Sequence, residues 1–119
     1  MIERKLLEWE EAAEDLHAPS LFRYEVASGL TRSIVAGAID VADAETSWRR
    51  IMAIPITLHG LDDGPAVIAL ARQLQRESAY DAAYVVLAQE LEADMWTIDG
   101  PLARNAAGKG LPVQLIDTA

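Results

Sequence analysis

Apolar residues recur at helical spacing through the first half of the chain. Between residues 6 and 16 they fall three or four positions apart with acidic residues between them, which predicts a helix that residues 17–20 then end. A second helix is predicted over residues 21–35, with Ser20 as its N-cap, and a third over residues 40–50.

The second half of the chain alternates short β-branched runs with further helical segments. Strands are predicted over residues 54–58, 95–98 and 112–116, and helices over residues 66–76, 78–92 and 102–107. This alternation is typical of an α/β protein whose mainly parallel central sheet has helices on both faces. We therefore expect residues 1–119 to form a single α/β domain, with no linker or internal repeat.

Composition narrows the class of protein. Hydrophobic residues make up 51% of the 119 positions, which is enough for a buried core, and the absence of cysteine excludes disulfides, thiol nucleophiles and cysteine-based zinc sites. No apolar run approaches the length of a membrane span, and the charged N-terminus does not resemble a signal peptide. We therefore expect a cytoplasmic protein without a membrane partner.

The net charge of −9, from 19 acidic and 10 basic residues, argues against a general phosphate-binding surface. If the protein acts on nucleic acid, some carboxylates must gather around a cation, or a basic partner must cover the acidic face. An ordinary acidic domain explains the charge equally well.

Two acidic residues in predicted helices share a face with apolar groups. Glu25 follows Leu21 and Phe22 by four and three positions, so it is either a site residue or a boundary glutamate whose stem covers the core. Asp81 shares its face with Val85, but it also stands three residues after Ser78, as in a capping box. Both interpretations stay open for each residue.

A third acidic residue, Asp99, ends a predicted strand and precedes Gly100 and Pro101. It is either a turn or N-cap residue, or a site residue at the carboxyl end of a parallel strand, where ligands bind in open sheets. Together Glu25, Asp81 and Asp99 predict an all-oxygen cluster, which suits Mg²⁺ or Mn²⁺ rather than zinc. Such ions activate water and neutralise charge on a phosphodiester.

In three stretches the sequence resembles the PIN-domain family, in particular the VapC toxins of prokaryotic toxin–antitoxin pairs. The stretches are Ala-Pro-Ser-Leu-Phe-Arg-Tyr-Glu-Val-Ala-Ser-Gly-Leu at 18–30, Ser-Ala-Tyr-Asp-Ala-Ala-Tyr at 78–84 and Thr-Ile-Asp-Gly-Pro-Leu-Ala-Arg at 97–104. The resemblance implies that Glu25, Asp81 and Asp99 are the catalytic, metal-binding acids and that Thr97 supports them. It also implies a three-layer α/β/α fold, an endoribonuclease dependent on Mg²⁺ or Mn²⁺, a VapB-like antitoxin partner, and assembly as a homodimer or hetero-complex.

The sequence departs from the family pattern at its beginning. The family opens with a strand that ends in aspartate, and we find no equivalent before the first predicted helix, since Asp15 stands only at the end of that helix. We therefore expect an N-terminally short PIN-like domain that either acquires this strand from elsewhere or has lost strong catalysis. The alternative function is an interaction module that binds an antitoxin or its own copy without cleaving RNA; a flap-type DNA nuclease shares the same metal chemistry.

Aromatic and basic residues carry weaker indications. The three tryptophans, Trp9, Trp48 and Trp96, are either base-stacking platforms or, as their apolar surroundings favour, core or interface residues.

Among the basic residues, Arg104 either contacts phosphate or lies on a helix surface, and Arg72 and Arg76 form a modest basic patch or solvate their helix. His17 and His59 are isolated in the sequence, and we expect neither to be catalytic or to bind a ligand.

Overall fold

A computed structural model of the chain describes Lys5, Glu8, Trp9, Glu11, Ala12 and residues 14–116. The chain divides between His59 and Gly60 into two compact units, which are described in turn. No helix among the described residues is long and apolar enough to cross a membrane.

The N-terminal unit contains two strands and two helices after a first helical segment. Its elements are β1 (Leu16–Pro19), α1 (Phe22–Val35), α2 (Val41–Met52) and β2 (Ile56–His59). Lys5, Glu8, Trp9 and Glu11 are helical, whereas the other positions predicted for the first helix before Ala12, together with Ala13, lie outside the described residues. Helices α1 and α2 pack against each other.

Strands β1 and β2 are parallel, with Leu16 opposite Ile56 and Pro19 opposite His59. The ladder extends past β1, because the Ser20 N–H donates to the His59 carbonyl at 2.8 Å. The prediction that residues 17–20 merely end a helix was wrong, since most of them form β1. Their hydrogen bonds come from β2, far along the sequence, so no local pattern indicates this strand.

The starts of the two helices differ in how well the sequence indicates them. Helix α1 has Leu21 as its N-cap, so the prediction of Ser20 for that position was wrong. Helix α2 begins after Asp40, whose carboxylate accepts from the Asp43 N–H at 2.8 Å in a capping box. This reciprocal pairing satisfies two backbone donors that the first turn of a helix leaves without intrahelical partners.

The C-terminal unit contains three helices and two strands. They are α3 (Gly64–Gln73), α4 (Tyr80–Glu90), β3 (Met95–Thr97), α5 (Gly100–Ala107) and β4 (Val113–Leu115). Strands β3 and β4 are parallel, with Met95 opposite Val113. Helix α3 packs against α4, and α5 packs against both strands.

The main hydrophobic core lies in this C-terminal unit. Leu74, Val85 and Leu102 are its largest fully buried side chains. The predicted α/β class and the parallel strand pairing are confirmed, while the strands that the structure describes form two two-stranded sheets rather than one sheet.

Candidate functional site

Asp99 occupies the junction between β3 and α5, where the structure confirms the N-cap role and leaves the site role a prediction. Its Oδ1 accepts from the Leu102 N–H at 3.0 Å, so it is the N-cap of α5. Its own N–H donates to Thr97 Oγ1 at 3.0 Å, which fixes the turn. The second carboxylate oxygen, Oδ2, faces Arg76. The cap therefore orients the carboxylate without using both of its oxygens.

Asp81 lies in the first turn of α4 but does not serve as part of a capping box. The N-cap of α4 is Ala79, whose methyl side chain has no acceptor, so the capping interpretation built on Ser78 was wrong. Asp81 Oδ2 instead lies 3.6 Å from Arg76 Nη1. Its side chain is 37% exposed, which leaves it accessible from solvent.

Arg76 joins the two acids. Its Nη2 lies 3.4 Å from Asp99 Oδ2 while its Nη1 faces Asp81, so one guanidinium spans both carboxylates. Helix α3 ends at Gln73, and Gln75 then adopts a left-handed φ of 57°, which takes Arg76 out of the helix. The prediction that Arg76 extends this helix was therefore wrong. No local signal identifies its bridging position, because both partners lie on later elements.

The two carboxylates and the guanidinium sum to a single negative charge, and all three side chains are roughly one-third exposed. Ion pairs at such exposure each stabilise a protein by about 1 kcal/mol or less. Each of the two ion pairs therefore contributes little to stability.

The donor chemistry of this cluster fits Mg²⁺ or Mn²⁺. Asp81 and Asp99 offer carboxylate oxygens, the ligands that hard divalent cations prefer. The guanidinium between them is a cation already drawn to the same two oxygens. Both acids also lie in one unit, although they are far apart in the sequence.

Glu25, the third predicted acid, lies on α1 in the N-terminal unit and is exposed. Within the part of the chain that the structure describes, no three His, Asp or Glu side chains form a group that could hold a metal ion. The structure thus brings Asp81 and Asp99 together through Arg76, and the three-acid site stays a prediction.

A second arginine lies close to the turn that carries Asp99. A side chain built onto Gly100 would meet Arg104 Nη1 at 3.1 Å, so the guanidinium of Arg104 folds back over the first residue of α5. Arg104 is exposed, and both interpretations of it, phosphate contact and surface residue, stay open.

The N-terminal unit has an apolar groove of about 260 Å³ between α1 and α2. Its apolar lining is Leu30, Ile34, Val41, Ala44 and Trp48. Glu45 and Arg49 add charge to the lining. Trp48 is half-buried here, as an interface tryptophan would be, whereas Trp96 on β3 is 39% exposed.

The two histidines are not isolated from each other in space. His17 Nδ1 lies 2.9 Å from His59 Nε2, and the two rings are tilted by 39°. They lie on adjacent strands, so the parallel pairing of β1 and β2 brings them together.

No protein-family model matches the chain. Ribonuclease VapC3 of Mycobacterium tuberculosis is 37% identical to it over 89 residues, which cover 75% of this chain and 64% of that protein. Ribonuclease VapC9 of the same species and VapC ribonuclease Mb0985 of Mycobacterium bovis are each 37% identical over 91 residues, covering 74% of this chain and 68% of theirs. The chain thus spans a little under two thirds of the length of VapC3.

Proposed function

Since this chain belongs to the VapC ribonuclease family, we propose that it is a metal-dependent endoribonuclease, the toxin of a toxin–antitoxin pair acting in the cytoplasm. The observation that carries the proposal is the convergence of Asp81 and Asp99 on the Arg76 guanidinium. Asp99 lies at the carboxyl end of β3, where α/β proteins bind ligands, and Asp81 faces the same guanidinium from the first turn of α4.

Asp81 and Asp99 would hold Mg²⁺ or Mn²⁺, and Glu25 as a third ligand stays a prediction. When bound, such an ion neutralises charge on the scissile phosphodiester and activates water. The chain's own residues prepare this arrangement: the Leu102 N–H and Thr97 hydroxyl hold the Asp99 turn in place.

Arg76 keeps the two carboxylates together against their mutual repulsion. On a protein of net charge −9 the RNA backbone also requires local cations. Arg76 and Arg104, both near the Asp99 turn, would supply these.

Cleavage of a labelled RNA in Mg²⁺ or Mn²⁺ tests the proposal. Asp81→Asn and Asp99→Asn keep the size of each side chain, and we expect each to lower the cleavage rate at least about tenfold, the usual minimum for weakening a metal site. Asp94→Asn is the matched control, because Asp94 is exposed and precedes β3, at the opposite end of the strand from Asp99. Full activity in both site variants would remove the assignment of these two acids.

The groove between α1 and α2 favours a second function, that of an interaction module which binds an antitoxin or a second copy without cleaving RNA. Half-buried tryptophans are typical of the positions that dominate binding energy at protein interfaces. In this case the wild-type chain would leave RNA intact, and sedimentation would show an association that Trp48→Ala abolishes. Metal-dependent cleavage by the wild-type chain would exclude this alternative.

A further inference from the structure

We propose that His17 and His59 form a two-imidazole site in the N-terminal unit for a borderline transition-metal ion of the Ni²⁺ or Cu²⁺ class. The proposal does not depend on the ribonuclease activity, since it concerns other residues, another ligand chemistry and another kind of ion.

The parallel register of β1 and β2 brings the two rings to the same face. Thr57 is opposite His17 and Pro19 is opposite His59, so the histidines are diagonal neighbours, offset by two positions. Residues two positions apart on a strand project to the same side of a sheet. The Ser20 N–H bonded to the His59 carbonyl holds the backbone at the end of this ladder.

The distance between the two ring nitrogens fits an ion whose neighbouring ligands stand at right angles better than it fits tetrahedral zinc. Two nitrogens each about 2.0–2.1 Å from an ion, at the right angle between neighbouring ligands of a tetragonal site completed by water, stand about 2.9 Å apart. In the structure, His17 Nδ1 and His59 Nε2 are 2.9 Å apart. Tetrahedral zinc would require about 3.4 Å between them, so the pair favours Ni²⁺ or Cu²⁺.

Asp15 lies beside His17, and its side chain is 94% exposed. Its Oδ2 lies 3.6 Å from His17 Nε2, on the far side of the ring from His59. The His17 side chain is 25% exposed, so an ion reaches the pair from solvent.

The composition makes the site simple to test. The chain has two histidines and no cysteine, so an ion that prefers nitrogen or sulfur ligands finds one pair of imidazoles and no thiolate. Mg²⁺ prefers oxygen ligands and is not expected to compete at this pair.

The experiment is a titration of the tag-free full chain with Ni²⁺, followed by NMR of the histidine ring protons. Since there are two histidines, the ring signals are few, and paramagnetic Ni²⁺ broadens those of the residues that bind it. We expect both sets of signals to broaden together, with Mg²⁺ causing no change. Broadening of one ring alone, or of neither, would overturn the proposal without any variant having to fold.

Calorimetry on variants gives the second measurement. His17→Gln and His59→Gln should each weaken Ni²⁺ binding by at least about tenfold, since loss of a ligand costs no less than loss of a supporting group. Asp15→Asn should weaken it less than either, because it keeps both imidazoles. Equal Ni²⁺ affinity in wild type and both histidine variants would show that the pair is only a hydrogen bond. RNA cleavage in Mg²⁺ should be unchanged in these variants, so the two proposals fail independently.

Discussion

Asp99 has two carboxylate oxygens with different partners: one accepts from the start of α5 and the other faces Arg76. The sequence indicated each role separately, because Asp-Gly-Pro is a local capping signal and the end of a strand is a site position. It did not indicate Arg76, because nothing in residues 72–76 shows that the chain turns there toward Asp81 and Asp99. Local chemistry is readable from local sequence, whereas a tertiary ion pair is not.

Asparagine and alanine at position 99 should separate the two roles. Asp99→Ala removes the cap and should lower the free energy of unfolding by about 1 kcal/mol, whereas Asp99→Asn keeps an acceptor oxygen and should cost less. Both variants lose the negative charge, so both should lose RNA cleavage. Urea unfolding together with the cleavage assay checks this. Equal stability of the two variants would contradict the capping role.

Arg76 should compete with the divalent ion for the same oxygens. We expect Arg76→Gln to bind Mn²⁺ severalfold more tightly than wild type, because two carboxylates are then left without their counter-charge. Calorimetric titration with Mn²⁺ measures this. Arg72→Gln is the matched control, since Arg72 is exposed on α3 and the change in net charge is the same. An equal gain in Mn²⁺ affinity in both variants would indicate an effect of net charge rather than the loss of the ion pairs made by Arg76.

At the scale of the elements, the sequence predicted the helices that have local start signals and did not predict strand β1, which has none. Helix α2 has its capping aspartate, and α3 and α5 each have proline in the first turn. Strand β1 has a short and weakly apolar sequence, and its backbone partners belong to β2. Strand pairing of this kind depends on tertiary contacts more than on propensity, which is why the sequence did not reveal β1.

Helix α5 contributes both the capped turn and a large part of the core. Leu102 is fully buried, so Leu102→Ala should lower the free energy of unfolding by about 2–5 kcal/mol through lost burial and the resulting cavity. Leu115→Ala is the matched control, because Leu115 is 49% exposed on β4 and the same substitution should cost about 0.5 kcal/mol or less. Thermal or urea unfolding compares them, and similar losses would contradict the assigned core.

On the scale of the whole molecule, the net charge determines the electrostatics of the RNA binding that we propose. A protein of net charge −9 repels RNA over most of its surface, so affinity must come from the few cations near the site. Two arginine contacts to a single strand predict a shallow slope of log affinity against log salt, about −1.4.

Filter binding at several salt concentrations, with the cleavage-inactive Asp81→Asn chain, measures that slope. Arg104→Gln should make it shallower by about 0.7 if Arg104 contacts a phosphate. A steep slope in the parent chain would instead require an extended basic surface, and an unchanged slope in Arg104→Gln would assign this arginine to the ordinary helix surface.

The left-handed backbone of Gln75 has a consequence for how the site responds to substitution. Glycine adopts this conformation without steric cost, so Gln75→Gly would relax the bend that directs Arg76 while allowing it many other conformations. The bend at residue 75 would then be less strained, but it would fix the direction of Arg76 less well. The effect of substituting Gln75 should therefore be judged by whether Arg76 still faces Asp81 and Asp99, and not by the stability of the fold alone.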